Sequence, residues 1–237
     1  EPVQNTLPAV ADHTPRHSGQ AGEAGMNGLL HSEIMKRVID ILGSSIGLLF
    51  FSPIILFIIV TLRLTLGKPV LFQQHRVGLH GNIFTLYKFR TMSDEKDISG
   101  NWLPDEIRVS RFGRILRRVR LYELPQLLAI FFGNLSIVGP RPLLPSSLNL
   151  LSEKGRKRLL MKPGLTGWSQ VNGNTLLSLR EKEILDLWYV ENWNLLLDLK
   201  IMLLTFIMVF FGERRNDKLI AEASDYAECT DRCSRQH

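Results

Sequence analysis

The stretch RVSRFGRILRRVRLYELPQLLAIFFGNLSIVGPRP, from Arg108 to Pro142, carries the densest chemistry in the chain. Six arginines, Arg108, Arg111, Arg114, Arg117, Arg118 and Arg120, precede its first acid, Glu123. Proline is best tolerated in the first turn of a helix. Pro125 therefore predicts a helix starting near Leu124, with Leu124, Leu127, Leu128 and Phe131 as its buried stripe. Tyr122 and Glu123 then stand at the N-terminal end, where unpaired N–H groups, partial positive charge and the upstream arginines suit a phosphate. Downstream, Gly139-Pro140-Arg141-Pro142 fixes two φ angles and holds Arg141 on a stiff mount suited to bidentate phosphate recognition. Taken singly, each feature has a plainer reading: an acid at a helix start is a cap, and an arginine run is a solvated face or a membrane-surface patch.

Upstream of this stretch lies the apolar part of the chain. Ile41 to Leu62 contains no charged residue over 22 positions, which as a straight helix would be roughly 33 Å long and could cross a bilayer. Two features favour a hairpin that enters and returns. Ser52-Pro53 sits in the middle, where proline removes a backbone hydrogen bond and bends a helix, with Gly43, Ser44, Ser45 and Gly47 on the first arm. Positive charge also flanks both ends, Lys36 and Arg37 before and Arg63 and Lys68 after, whereas a spanning helix is oriented by asymmetry. A net charge of +6 suits an anionic membrane surface, anionic substrates or nucleic acid. The last class lacks interleaved aromatics or a recognisable module.

The length of 237 residues allows one ordinary domain with additions, and 45% hydrophobic residues suffice for a core. Residues 1–25 are rich in Pro, Gly, His and Ala without periodicity and read as disordered, and no cleavable signal peptide is expected. His13, His17 and His31 are too irregularly spaced to predict metal. Past Gly67-Lys68-Pro69, Val70 to Phe72 and Ile83 to Arg90 read as two strands around a turn at His80-Gly81-Asn82. On the second strand Lys88 and Arg90 are candidate phosphate contacts, or the solvated face of an alternating strand. The acids between Met92 and Glu106 match no calcium-loop spacing and read as a surface loop. Glu153 to Met161 predicts a short basic helix. Gly164 to Asn174, GLTGWSQVNGN, has the glycines of a backbone that something approaches closely. A helix is predicted from Leu177 to about Glu191, with Trp188, Tyr189 and Trp193 settling at headgroup level. Ile201 to Gly212 is too short for a span and reads as a core or interfacial helix. Cys229 and Cys233, the only cysteines, fit a reducing compartment and make a poor metal site.

In its order of motifs the chain resembles one family, the bacterial sugar transferases, or monotopic phosphoglycosyl transferases. The family pattern LR..SLDELPQL...GDMS.VGPRP is matched by LRRVRLYELPQLLAIFFGNLSIVGPRP, the segment YKFRTM (Tyr87 to Met92) by a motif close to the active site, and KPGLTGWSQVNGN by the block RPGITG..QVNGR. The resemblance runs from about Lys36 to about Phe211. Its departures are Tyr122 for the nucleophilic aspartate, Asn134-Leu135 within GDMS, Lys162 for one arginine and Asn174 for another.

The resemblance implies an α+β, mainly helical fold: a re-entrant membrane helix hairpin broken at Ser52 and Pro53 (32–66), then a small cytoplasmic catalytic domain with a short β-hairpin and interfacial amphipathic helices (67–215). The disordered extension (1–31) and a polar flexible tail (216–237) complete the expected organisation. The implied reaction is transfer of a sugar 1-phosphate from a UDP-sugar to polyprenyl (undecaprenyl) phosphate, releasing UMP, on the cytoplasmic face of the bacterial inner membrane. The implied partners are the UDP-sugar, the polyprenyl phosphate and inner-membrane lipids, with room for a homo-oligomer and no role for nucleic acid. By the same resemblance Tyr122 and Glu123 hold the catalytic positions, Glu123 is the ligand for Mg²⁺, and Arg117, Arg141, Lys88 and Arg90 bind substrate. A carboxylate is ionised at pH 7, whereas a phenol of pKa near 10 is ionised in about 0.1% of molecules. Tyr122 thus implies impaired chemistry. The alternative is a non-catalytic membrane-bound homologue that holds nucleotide sugar or lipid phosphate.

Overall fold

The computed structural model describes residues 21–234, with side chains over 32–227. Its first element, α1 (Ala21–Thr65), takes in the end of the segment expected to be disordered; residues 1–20, with His13 and His17, lie outside the described residues. Within α1, Ser32–Thr65 is long and apolar enough to cross a membrane. Pro53 has no N–H to give the carbonyl of Leu49, and the Ser52 hydroxyl donates to that carbonyl instead, at 2.8 Å. The Ser-Pro pair thus satisfies the acceptor that the proline leaves open.

The charged start of α1 is bound into the protein rather than left to flank the apolar run. Arg37 donates at 2.7 Å to the carbonyls of Ile130 and Phe131, closing the C-terminal end of a short helix that follows the Tyr122 turn, where a cation is favoured. Asp40 accepts from the Ile137 N–H at 2.8 Å and the Ser136 hydroxyl at 3.1 Å. Lys36 donates to the Val138 carbonyl at 2.8 Å and to Asp198 at 2.5 Å. The approach needs a missing side chain: a Cβ on Gly43 would stand 2.7 Å from the Ile137 side chain. Past the proline, Ile58 and Leu62 are buried against Phe89 and Leu116. α1 therefore packs on the rest of the protein both before and after Pro53. Between these contacts Leu49, 79% exposed, and Phe50 are bare.

The remaining elements are β1 (Leu71–Val77) and β2 (Ile83–Phe89), α2 (Asp105–Arg108), α3 (Arg111–Arg118), α4 (Gln126–Phe132), β3 (Ser136–Val138), β4 (Gly164–Thr166), α5 (Trp168–Val171), α6 (Leu179–Glu191), α7 (Leu195–Phe211) and α8 (Asp217–Ser234). The predicted hairpin forms, β1 antiparallel to β2. β3 and β4 pair in parallel, a contact the sequence reading lacked. The close approach expected along GLTGWSQVNGN is made by the chain itself, since a Cβ on Gly164 would lie 2.1 Å from the Gly139 nitrogen.

Three other expectations are corrected. α4 buries Gln126, Ala129 and Ile130 and leaves Leu128, Phe131 and Phe132 exposed, because a helix apolar on most sides gives no periodic signal for which face turns inward. Tyr189 is fully buried and donates to Asp198 at 2.7 Å, while Trp188 stacks on Trp168 at 5.3 Å. A polar partner inside the core draws the tyrosine in. The expected flexible tail from residue 216 forms α8, which buries Ile220 and Ala223 in the same core as Leu185 and Ile201. α7 begins six residues earlier than the apolar run and keeps Leu196, Leu199, Leu203, Phe206 and Phe210 exposed.

Candidate active site

Ser110 starts α3 by accepting from the Gly113 N–H at 2.9 Å, as a helix cap does. α3 ends at Arg118, and Arg120 then takes the left-handed conformation, φ 56°. This single reversal starts the 3₁₀ turn Leu121–Glu123 and presents Tyr122 and Glu123. The helix N-terminus expected to bind phosphate is not open. The N–H groups of Glu123 and Leu124 go to the carbonyls of Arg120 and Leu121, and those of Leu127 and Leu128 to Leu124 and Pro125. Positive charge is supplied by side chains instead.

Those side chains come from the hairpin and from the loop after β3. The register pairs Phe72 with Lys88, Gln74 with Leu86 and Arg76 with Phe84, so Gln74, Arg76 and Lys88 project from one face of the ribbon. Lys88 Nζ stands 3.4 Å from Glu123 Oε1 and 5.4 Å from the centre of the Tyr122 ring. Arg76 donates to Gln74 at 2.6 Å and to the Pro142 carbonyl at 3.2 Å. Its Nε is buried without a partner. Burial, then the charges of Arg141 and Arg76, lower the Lys88 ammonium below its ordinary pKa, with Glu123 opposing. Burial and Arg141 likewise lower Arg76. Arg76, Lys88 and Arg141 therefore lie close enough to affect one another, with Glu123 as the opposing carboxylate among the described residues.

The site holds the Tyr122 proton firmly. Burial pushes the phenol up to about 12, and the adjacent Glu123 charge adds to the shift against the weaker pull of Arg120 and Arg141.

Arg141 is fixed at both ends. Its carbonyl accepts from Arg158 at 2.9 Å, whose guanidinium also pairs with the fully buried Asp186. Its side chain donates to Asn174 Oδ1 at 2.7 Å, and Asn174 Nδ2 in turn donates to Glu213 Oε1 at 2.5 Å. The same Glu213 oxygen accepts from Arg120 at 2.6 Å.

Of the residues singled out from sequence, the fold brings together Tyr122, Glu123, Lys88 and Arg141. Arg117 and Arg90 are bonded elsewhere. Arg117 donates to the Thr91 hydroxyl at 2.9 Å; Arg90 donates to the Met92 carbonyl at 2.9 Å and pairs with Asp94 at 2.8 Å. Sequence reasoning missed Arg76 and Glu213. The alternation of Gln74, Arg76 and the facing Lys88 could have exposed the first; nothing local marks the second. Among the described residues no group of three or more His, Cys, Asp or Glu side chains could hold a metal ion. Glu123 is a partly exposed carboxylate at the site, and Mg²⁺ bound with a diphosphate commonly uses one or two carboxylates plus substrate phosphates.

Comparison with known proteins assigns the family. The family model described as bacterial sugar transferase matches residues 31–212. An uncharacterized sugar transferase, EpsL, of Bacillus subtilis strain 168 is 50% identical over 191 residues, 80% of this chain and 95% of that protein. A UDP-glucose:undecaprenyl-phosphate glucose-1-phosphate transferase of Klebsiella pneumoniae is 36% identical over 203 residues, covering 81% of this chain but 43% of that protein. The exopolysaccharide production protein ExoY of Rhizobium meliloti is 36% identical over 187 residues, 72% of this chain and 83% of its own. With the family model matched over most of its length and a relative 50% identical over 95% of that relative, the chain belongs to the bacterial sugar transferase family.

Proposed function

We propose that the chain transfers a sugar 1-phosphate from a UDP-sugar to undecaprenyl phosphate, releasing UMP, as the first membrane step of a bacterial polysaccharide assembly. The observation that carries this reading is the charge imbalance at the site, where Arg76, Lys88 and Arg141 repel one another and Glu123, 3.4 Å from Lys88, opposes them. Partly buried cations without enough acid are costly and are compensated by an anionic ligand. A nucleotide diphosphate is such a ligand. The relatives named for undecaprenyl-phosphate sugar transfer support the same substrate class.

In the reaction a nucleophile attacks the sugar-bearing phosphorus, the bond to the bridging oxygen breaks, and UMP leaves. An oxygen of the lipid phosphate then attacks the same phosphorus and frees the nucleophile. Arg76, Lys88 and Arg141 would hold the non-bridging oxygens and stabilise the charge that develops on them. Glu123 is the residue that would hold Mg²⁺, which when bound neutralises diphosphate charge.

Tyr122 stands where the nucleophile is needed. At a pKa of about 12, roughly 0.001% of the phenol is ionised at pH 7, so turnover by this chain is strongly impaired. That value also favours the second reading, a non-catalytic homologue that binds nucleotide sugar or lipid phosphate. Incubating the full chain in lipid with UDP-sugars, Mg²⁺ and undecaprenyl phosphate separates the two. UMP release supports the transferase; binding of UDP-sugar without UMP supports the other; the absence of both would refute the site.

The re-entrant hairpin and cytoplasmic placement belong to this proposal. A crossing helix would carry one end to the far side of the bilayer, whereas α1 has protein contacts both before and after Pro53, which supports a return to the same side. A cysteine placed at Met26 and the native Cys229 are expected to label only from the cytoplasmic side. Labelling of either from outside would establish a span.

A further inference from the structure

Glu213 lies one residue past the family match, at the exit of α7, and joins three separate segments. Its Oε1 accepts from Arg120 at 2.6 Å and from Asn174 at 2.5 Å. Its Oε2 accepts from the N–H of Thr175 at 3.2 Å and from the Thr175 hydroxyl. Two of these segments are in unfavourable backbone conformations: Arg120 at φ 56° and Asn174 at φ 45° are both left-handed non-glycine residues. Such conformations persist where surrounding bonds hold them. Charge-assisted bonds to a carboxylate are short and comparatively strong. Burial raises the Glu213 carboxyl, but the bonds from Thr175, Asn174 and Arg120 outweigh it and hold the group below its ordinary value.

The chemistry of the carboxylate also decides which way Asn174 faces. An ionised glutamate only accepts, so the Asn174 NH₂ must turn toward it, and the amide oxygen is left to face Arg141 at 2.7 Å. We propose that Glu213 is a positioning residue that, through Asn174, aims the Arg141 guanidinium and, through Arg120, sets the turn carrying Tyr122. The inference rests on the reading of Arg141 as a diphosphate ligand. In the family pattern a serine stands at position 120 and an arginine at position 174. Here the cation is at 120, the amide at 174, and Glu213 bonds both.

The test is a mutant cycle on the full chain in lipid nanodiscs, with UDP-glucose as the probe. Glu213→Ala is expected to weaken binding about tenfold, the scale of one charge-assisted hydrogen bond. Arg141→Ala should weaken it at least as much. If Glu213 acts through Arg141, the double mutant binds no more weakly than Arg141→Ala alone. Independent, multiplying effects would overturn the proposal, as would unchanged affinity in Glu213→Ala. Glu213→Gln serves where the alanine variant fails to fold, because one amide oxygen cannot serve both Arg120–Asn174 and Thr175. A ligand-free arm reads the side-chain motion of Arg141 by ¹⁵N relaxation. Greater mobility in Glu213→Gln, with Arg158 unchanged, is expected, and unchanged mobility would refute the positioning role. A parent protein that binds no UDP-glucose would sink the functional reading, while the relaxation arm would still decide this one.

Discussion

Two arginine–acid groupings lie on either side of Arg141, and they are built differently. On the side of its carbonyl, Arg158 and Asp186 form a balanced pair, both almost wholly buried. On the site side, Arg76, Lys88 and Arg141 lie near Glu123, and among the described residues Arg76 bonds to Gln74 and the Pro142 carbonyl rather than to a carboxylate. A matched buried pair balances its charge and serves to hold a position, even though Asp186 Oδ1 is left without a hydrogen-bond partner. An unmatched set of cations is satisfied only when something negative arrives. The contrast separates scaffold from site within one fold.

The largest effect should come from breaking the matched pair. Asp186→Ala leaves Arg158 buried and uncompensated and is expected to cost about 3–5 kcal/mol of stability, measured by denaturant unfolding in detergent. Replacing both partners by Met and Leu should recover most of that loss; no recovery would mean that the pair does more than cancel charge.

Next in size is the chemistry at Tyr122. Tyr122→Asp places a carboxylate beside Arg120 and Lys88, and UMP release is expected to rise about a hundredfold or more, or about 2.7 kcal/mol in barrier. Tyr122→Phe is the control: any parent turnover that survives it does not use the phenol. Parent turnover through the phenolate would also climb with pH toward about 12, tenfold per unit. A flat profile between pH 6 and 9 would rule the phenolate out. Failure of the aspartate variant, folded and in lipid, would move the cause to Asn134 or Asn174 and favour the non-catalytic reading.

Removing one unmatched cation should be gentler and opposite in sign for stability. Arg76→Met is expected to leave the protein as stable or more so, while weakening UDP-sugar binding about tenfold, or about 1.4 kcal/mol. Arg141→Lys should retain part of the affinity that Arg141→Ala loses, since the bidentate fork is gone. A loss of stability in Arg76→Met without loss of binding would place Arg76 with the scaffold.

The smallest effect is a pH dependence. Glu213 has a folded-state pKa lowered below 4.5, so its contribution is fully present above the ordinary carboxylate value and is lost as pH falls through the folded one. Partial exposure and screening keep it small. Thermal melts of Glu213→Gln should therefore differ from the parent above about pH 5 and converge toward it in acid. Divergence in the opposite direction would contradict the lowered value.

Much of the site was legible because its marks are local. Pro125, the GPRP mount and the Tyr122-Glu123 pair sit within a few residues of the features that define them, and the hairpin carrying Lys88 followed from alternation and a turn. Arg117 and Arg90 were assigned to substrate by resemblance to the family. Their contacts with Thr91, Met92 and Asp94 were not legible, because a strand or helix position does not say which neighbour a long side chain will meet. The stripe expected on α4 was misjudged for a related reason. A helix with apolar residues on both an inner and an outer face has no polar side to orient it.

Sequence by itself determined what depends on near neighbours: the uncharged run Ile41–Leu62, the β1–β2 hairpin and the family motifs. Only the tertiary structure decided which charges are spent on structure. Lys36 meets Asp198 across 162 positions, Arg120 meets Glu213 across 93, and Arg141 meets Asn174 across 33. Helix caps, turns and periodicity act within a few residues and leave a local signature. A distant charge pair leaves none, because either partner alone resembles any solvated charge until packing removes the water around it.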